Sequence, residues 1–169
     1  MSLELRLSSR HWSCDPIETV DAATGKMVME RPHLPMTPSE QSAVKALLDE
    51  AAGQSIEEAR GFVHLKDGGD FQVTCENYQP QYVEEFTLRV EHGLTPDLLD
   101  FLISILDAGN LILTSQRDGS SISLKEANFD DAPETVKPRA VCHSRDELKA
   151  ILEHGIRDDQ RLATKSVEI

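Results

Sequence analysis

Leu3, Leu5 and Leu7 alternate with Glu4 and Arg6, the period of two expected of a strand with one buried face. The same alternation recurs along the chain. Phe71, Val73 and Cys75 share one face while Gln72, Thr74 and Glu76 share the other, and Phe86, Leu88 and Val90 alternate with Thr87, Arg89 and Glu91. Strands are also predicted over Phe62–Lys66, Asn110–Ser115 and Ile122–Leu124. Asp67-Gly-Gly-Asp70 makes the turn of one hairpin, and Ala-Ala-Thr-Gly separates Ile17–Asp21 from Lys26–Glu30 in another.

Three segments change period and carry helix signals. Thr37-Pro38-Ser39-Glu40 is a capping box with proline in the first helical position, and Val44, Leu47, Leu48 and Ala51 then repeat on one face up to Gly53. Thr95-Pro96-Asp97 opens a second helix that ends at Gly109. Its apolar residues cover most of the circumference and leave only Asp97, Asp100, Ser104 and Asp107 as a polar stripe. A helix of that kind is mostly buried and shows one acidic edge. Ser144-Arg145-Asp146-Glu147 reads as another capping box, followed by Leu148, Ile151 and Leu152 and stopped by Gly155.

The order of elements predicts an α+β fold with a predominantly antiparallel sheet and about three helices, in a single domain. Residues 1–36 form an N-terminal strand region and 37–157 the main body, joined by the proline-rich Arg31–Pro38; residues 158–169 read as a polar tail. The unit from Glu84 to Ser115 is expected to be a parallel strand–helix–strand crossover. Lys125–Pro138 reads as a loop.

Charge changes the functional picture. The whole net charge of −13 falls within residues 37–136. Nucleic acid and anionic membrane are therefore disfavoured as partners, because both need a basic footprint. No segment reaches the ~20 apolar residues that a membrane span needs, and no signal-peptide pattern opens the chain. Cys14, Cys75 and Cys142 are odd in number and widely spaced, which fits reduced thiols and a cytoplasmic location.

Catalytic motifs are absent: no phosphate loop, no dinucleotide fingerprint, no nucleophile elbow and no His-Glu-x-x-His. His11 and Cys14 with Cys142 and His143 could supply four zinc ligands. Their spacing is poor, and adjacent residues of a strand point apart, so no metal or other cofactor is expected. Cys142 beside His143, just ahead of the third helix, is the one thiol with a plausible activating setting, and it defines the enzyme alternative. A third reading is a homodimer or larger homo-oligomer built on an exposed sheet edge.

The leading expectation is a binding role. Asp97, Asp100 and Asp107 lie on one helical stripe, Glu84, Glu85 and Glu91 lie just before it in sequence, and Asp130, Asp131 and Glu134 sit in the acidic loop. Together they are the candidate contact residues for a basic protein partner. In size, acidity and lack of catalytic motifs the chain is similar to bacterial immunity proteins. That resemblance implies an inhibitor that neutralises a toxin or enzyme by binding it.

Overall fold

A computed structural model describes residues 2–163. The segment Leu3–Ser8 (β1) lies at the centre of a seven-stranded sheet, and the reason is its alternation: Leu5 and Leu7 are fully buried while Glu4 and Arg6 are exposed. The other strands of this sheet are Gly61–His64 (β4), Asp70–Thr74 (β5), Glu85–Val90 (β6), Ile112–Ser115 (β7), Ser121–Ser123 (β8) and Arg139–Val141 (β9). They lie in the order β4-β5-β6-β1-β7-β8-β9. Every neighbouring pair is antiparallel except β8 and β9, which run parallel. Ile17–Val20 (β2) and Met27–Glu30 (β3) pair only with each other in a separate two-stranded sheet. The fold is α+β, as the alternation predicts.

Three helices cover one face of the sheet: Pro38–Ala52 (α1), Pro96–Gly109 (α2) and Arg145–His154 (α3). The predicted N-caps form, but of the two expected capping boxes only the one at Thr37 and Glu40 makes both bonds. Thr37 Oγ1 accepts the Glu40 amide, Glu40 Oε1 accepts the Thr37 amide, and Gly53 closes α1 in the left-handed region. Thr95 caps α2, and Ser144 accepts the Glu147 amide at the start of α3. Helix α2 packs between α1 and α3. Its Leu98, Leu102, Ile105 and Leu106 are fully buried with Leu5, Leu7, Phe86 and Leu88 of the sheet. Phe101 stacks on Phe71 with ring centroids 4.9 Å apart.

Strands β6 and β7 run parallel, as the expected strand–helix–strand crossover requires, and β1 lies between them, antiparallel to both. One expectation is corrected by the topology. The residues after the acidic loop do not lead straight into α3. They form β9, an edge strand too short for its period to stand out in the sequence.

The opposite face of the sheet is only half covered. At the β7–β9 end, Ile112 packs with Phe129 and Ala132 of the 125–138 loop, and Trp12, Val136 and Leu162 pack around them. Arg139 holds that loop down. Its buried guanidinium donates to the carbonyls of Val136 (2.6 Å), Pro133 (2.9 Å), Phe129 and Ala132 (3.3 Å each), and lies over the Phe129 ring. The expected polar tail begins in contact with the body: the Leu162 amide donates to the Arg139 carbonyl. The rest of the tail, 164–169, lies outside the described residues.

Candidate acidic cleft on the open sheet face

Over β5, β6 and β1 the second face of the sheet stays open. Register places Glu4 beside Arg89, Arg6 beside Thr87 and Ser8 beside Glu85. These residues point away from the helices, because Phe86, Leu88 and Val90 take the buried positions between them. The segment following β5 rises beside this surface and closes a cleft of about 350 Å³. Four carboxylates line it, those of Glu4, Glu76, Glu84 and Glu85, and Tyr82, 45% exposed, stands among them.

The cleft is under-neutralised. Its one cationic lining residue among the described residues, Arg6, has Nε 3.6 Å from Glu85 Oε2. Among the described residues, the ion-pair partner of Glu84 is His33, at 3.6 Å. Among the described residues, Glu4 and Glu76 make no ion pair. A pocket lined by four glutamates, two of them without an ion-pair partner among the described residues, and by a tyrosine suits a guanidinium or ammonium group. The carboxylates supply charge-assisted acceptors and the ring face attracts the cation.

The nine acidic residues expected to form one surface are placed in separate regions. Glu84 and Glu85 line the cleft. Glu91 sits on the same open face, where it pairs with Arg89 at 3.1 Å. Asp97, Asp100 and Asp107 belong to the helix layer on the other side of the sheet, and Asp100 accepts two contacts from Arg145 Nη1 at 3.1 and 3.2 Å. Asp130, Asp131 and Glu134 lie in the loop that Arg139 secures, and the Asp131 carbonyl accepts from Arg31 Nη2. The sequence reading missed Glu4, Glu76 and Tyr82. Glu4 carried a usable signal, since it faces outward from an otherwise apolar strand. Its neighbours depend on β1–β6 pairing across more than eighty residues, which periodicity does not reveal.

The setting of Cys142 opposes a thiolate. Its side chain is buried and its Sγ donates to the Ser144 carbonyl at 3.0 Å, while neighbouring His143 is exposed. Burial is the main cause that pushes this thiol above its ordinary value, as it does at Cys75. Cys14 is exposed. A disulfide-exchange reagent is therefore expected to label Cys14 rapidly in the native protein and to reach Cys75 and Cys142 only on unfolding. Native-state labelling of Cys142 at the rate of Cys14 would contradict this. His11, another zinc candidate, is bonded instead to Glu40 Oε1 at 2.8 Å, and no group of three or more metal-ligating side chains occurs among the described residues.

No protein-family model, curated protein or solved structure matches this chain. No helix among the described residues is long and apolar enough to cross a membrane.

Proposed function

We propose that the chain is an acidic protein-binding module that recognises a basic protein, acting as an inhibitor or immunity protein in the cytoplasm. The carrying observation is the cleft, in which Glu4, Glu76 and Glu84 stand around Tyr82 without an arginine or lysine partner. A Lys or Arg side chain of the partner fills it, and the chain's net charge of −13 speeds the encounter. An enzyme or toxin whose functional surface is cationic is the class of target such a module would block.

The test is affinity capture of the intact protein's partner from its own cells, with a salt gradient for elution. One basic protein recovered in stoichiometric amount and released by moderate salt is the expected result. A partner that is acidic, or whose retention is indifferent to salt, contradicts the proposal, because a charge-driven contact weakens as salt screens it.

A further inference from the structure

The β2–β3 hairpin stands apart from the body. Four of the seven large apolar side chains exposed in the described residues lie on it: Ile17 (53%), Val20 (59%), Met27 (60%) and Met29 (53%). Register pairs Val20 with Met27 and Glu18 with Met29, so Val20, Met27 and Met29 share one face. Neither strand packs substantially against any other strand or helix.

Its root, by contrast, is held firmly. Arg31 Nε donates to the Ser13 carbonyl at 2.9 Å and Arg31 Nη2 to the Asp131 carbonyl; the Ser13 amide donates to Pro32; and Trp12 stacks on His33 with centroids 4.1 Å apart. The arm therefore projects from a fixed base. A lone two-stranded hairpin is only marginally stable in water, and a clustered exposed apolar patch marks an interaction surface.

Charge selects the occupant. Glu18 lies on the same face as the patch, opposite Met29, Glu30 lies on the other face, and Asp15 and Asp21 flank β2 in sequence, against the single Lys26. A second copy would bring two such acidic arms together, on chains that each carry −13. The complementary surface is an apolar groove rimmed by lysine and arginine. Position agrees with this. Trp12 and His33 line a neighbouring cleft of about 370 Å³ that shares Arg6 and Glu85 with the acidic cleft. The root of the arm thus borders the acidic cleft through this neighbouring cleft.

We infer that the arm is the apolar anchor of the interface, seating Val20, Met27 and Met29 in a groove with a basic rim on the partner while the cleft receives a cationic side chain. This rests on the binding role proposed above. Methionines suit the task because their flexible, polarisable side chains adapt to the surface they meet.

The experiment places a photo-crosslinking amino acid at position 29, 82 or 104 of the full chain, in the cells that make it. Position 29 reports on the arm, 82 on the cleft and 104 on the helix layer. The expected result is one basic protein crosslinked from both 29 and 82, with nothing from 104. A Val20→Ser/Met27→Ser/Met29→Ser variant that keeps its circular dichroism should bind that protein roughly tenfold more weakly or worse. Crosslinking from 82 alone, or unchanged affinity in the triple variant, overturns the arm and leaves the cleft reading standing. An adduct from 29 to a second copy of the chain, or to a protein that is not basic, also overturns the arm. Adducts from 104 alone, or from none of the three positions, overturn both.

Discussion

Replacing Arg139 with methionine is expected to lower the unfolding free energy by about 3 kcal/mol. Methionine keeps most of the apolar stem, so the change isolates the guanidinium. That group supplies the donors for four carbonyls, of Phe129, Ala132, Pro133 and Val136. Without it they face a largely dry pocket, and each buried unsatisfied acceptor costs about 1–3 kcal/mol. Part of that loss is offset because the charge itself is costly to bury; burial is what pulls the Arg139 pKa below its ordinary value. The packing of Phe129 and Ala132 on Ile112 depends on the loop staying in place. Lysine should rescue little, since one ammonium cannot reproduce the planar fork of donors. Denaturant titration measures the effect. A loss below about 1 kcal/mol would mean that the loop is held by its apolar contacts alone.

Glu40→Gln is expected to destabilise the protein by about 2 kcal/mol at neutral pH, and this gap should close on acidification. The carboxylate is buried yet fully used. Oε1 accepts from the Thr37 amide at 2.9 Å and from His11 Nε2 at 2.8 Å, and Oε2 accepts from Asn110 Nδ2 at 2.7 Å. One side chain thereby ties the N-terminal segment, the start of α1 and the C-cap of α2 together. Desolvation, the largest single influence, pushes its pKa up; the bonds from Asn110, Thr37 and His11 together outweigh it and hold the pKa below 4.5. A depressed carboxylate pKa contributes stability that is fully present above the unfolded-state value. The contribution is lost as pH falls through the folded-state value. The wild type should thus lose its advantage over Glu40→Gln progressively below pH 4.5. Melting curves of both proteins from neutral to acidic pH decide this; a gap that widens on acidification would contradict it.

Local chemistry was legible where it is written in adjacent residues. Thr37 with Glu40, Thr95 with Pro96, and Ser144 with Glu147 mark the three helix starts, and each cap forms. Strict alternation in Leu3–Leu7 and Phe86–Val90 identified the inner and outer faces of β1 and β6. What escaped was decided between distant segments. Nothing near Glu4 announces that it will meet Arg89, or that β1 will separate β6 from β7. Strand β9 is three residues long, and its Arg139 is buried only because four carbonyls from the preceding loop converge on it. The candidate site was legible in the same proportion. Glu84 and Glu85 were singled out and do line the cleft, while Asp97, Asp100 and Asp107, grouped with them by sequence proximity, lie across the sheet. The exposed apolar face of the hairpin was hidden for a related reason. Met27 and Met29 look like ordinary strand residues until their exposure in the fold is known.

The proposed interface is the cleft and not the helix-layer acids. The most direct test compares the affinity of the captured partner for the wild type, for Glu76→Lys/Glu84→Lys and for Asp100→Lys/Asp107→Lys, at low and at high salt. Both variants change net charge equally, so a general attraction would weaken equally in each. The cleft variant is expected to lose roughly tenfold or more in affinity, about 1.4 kcal/mol, with a shallower salt dependence, and the helix-layer variant is expected to change little. Equal losses, or a loss confined to Asp100 and Asp107, would contradict it.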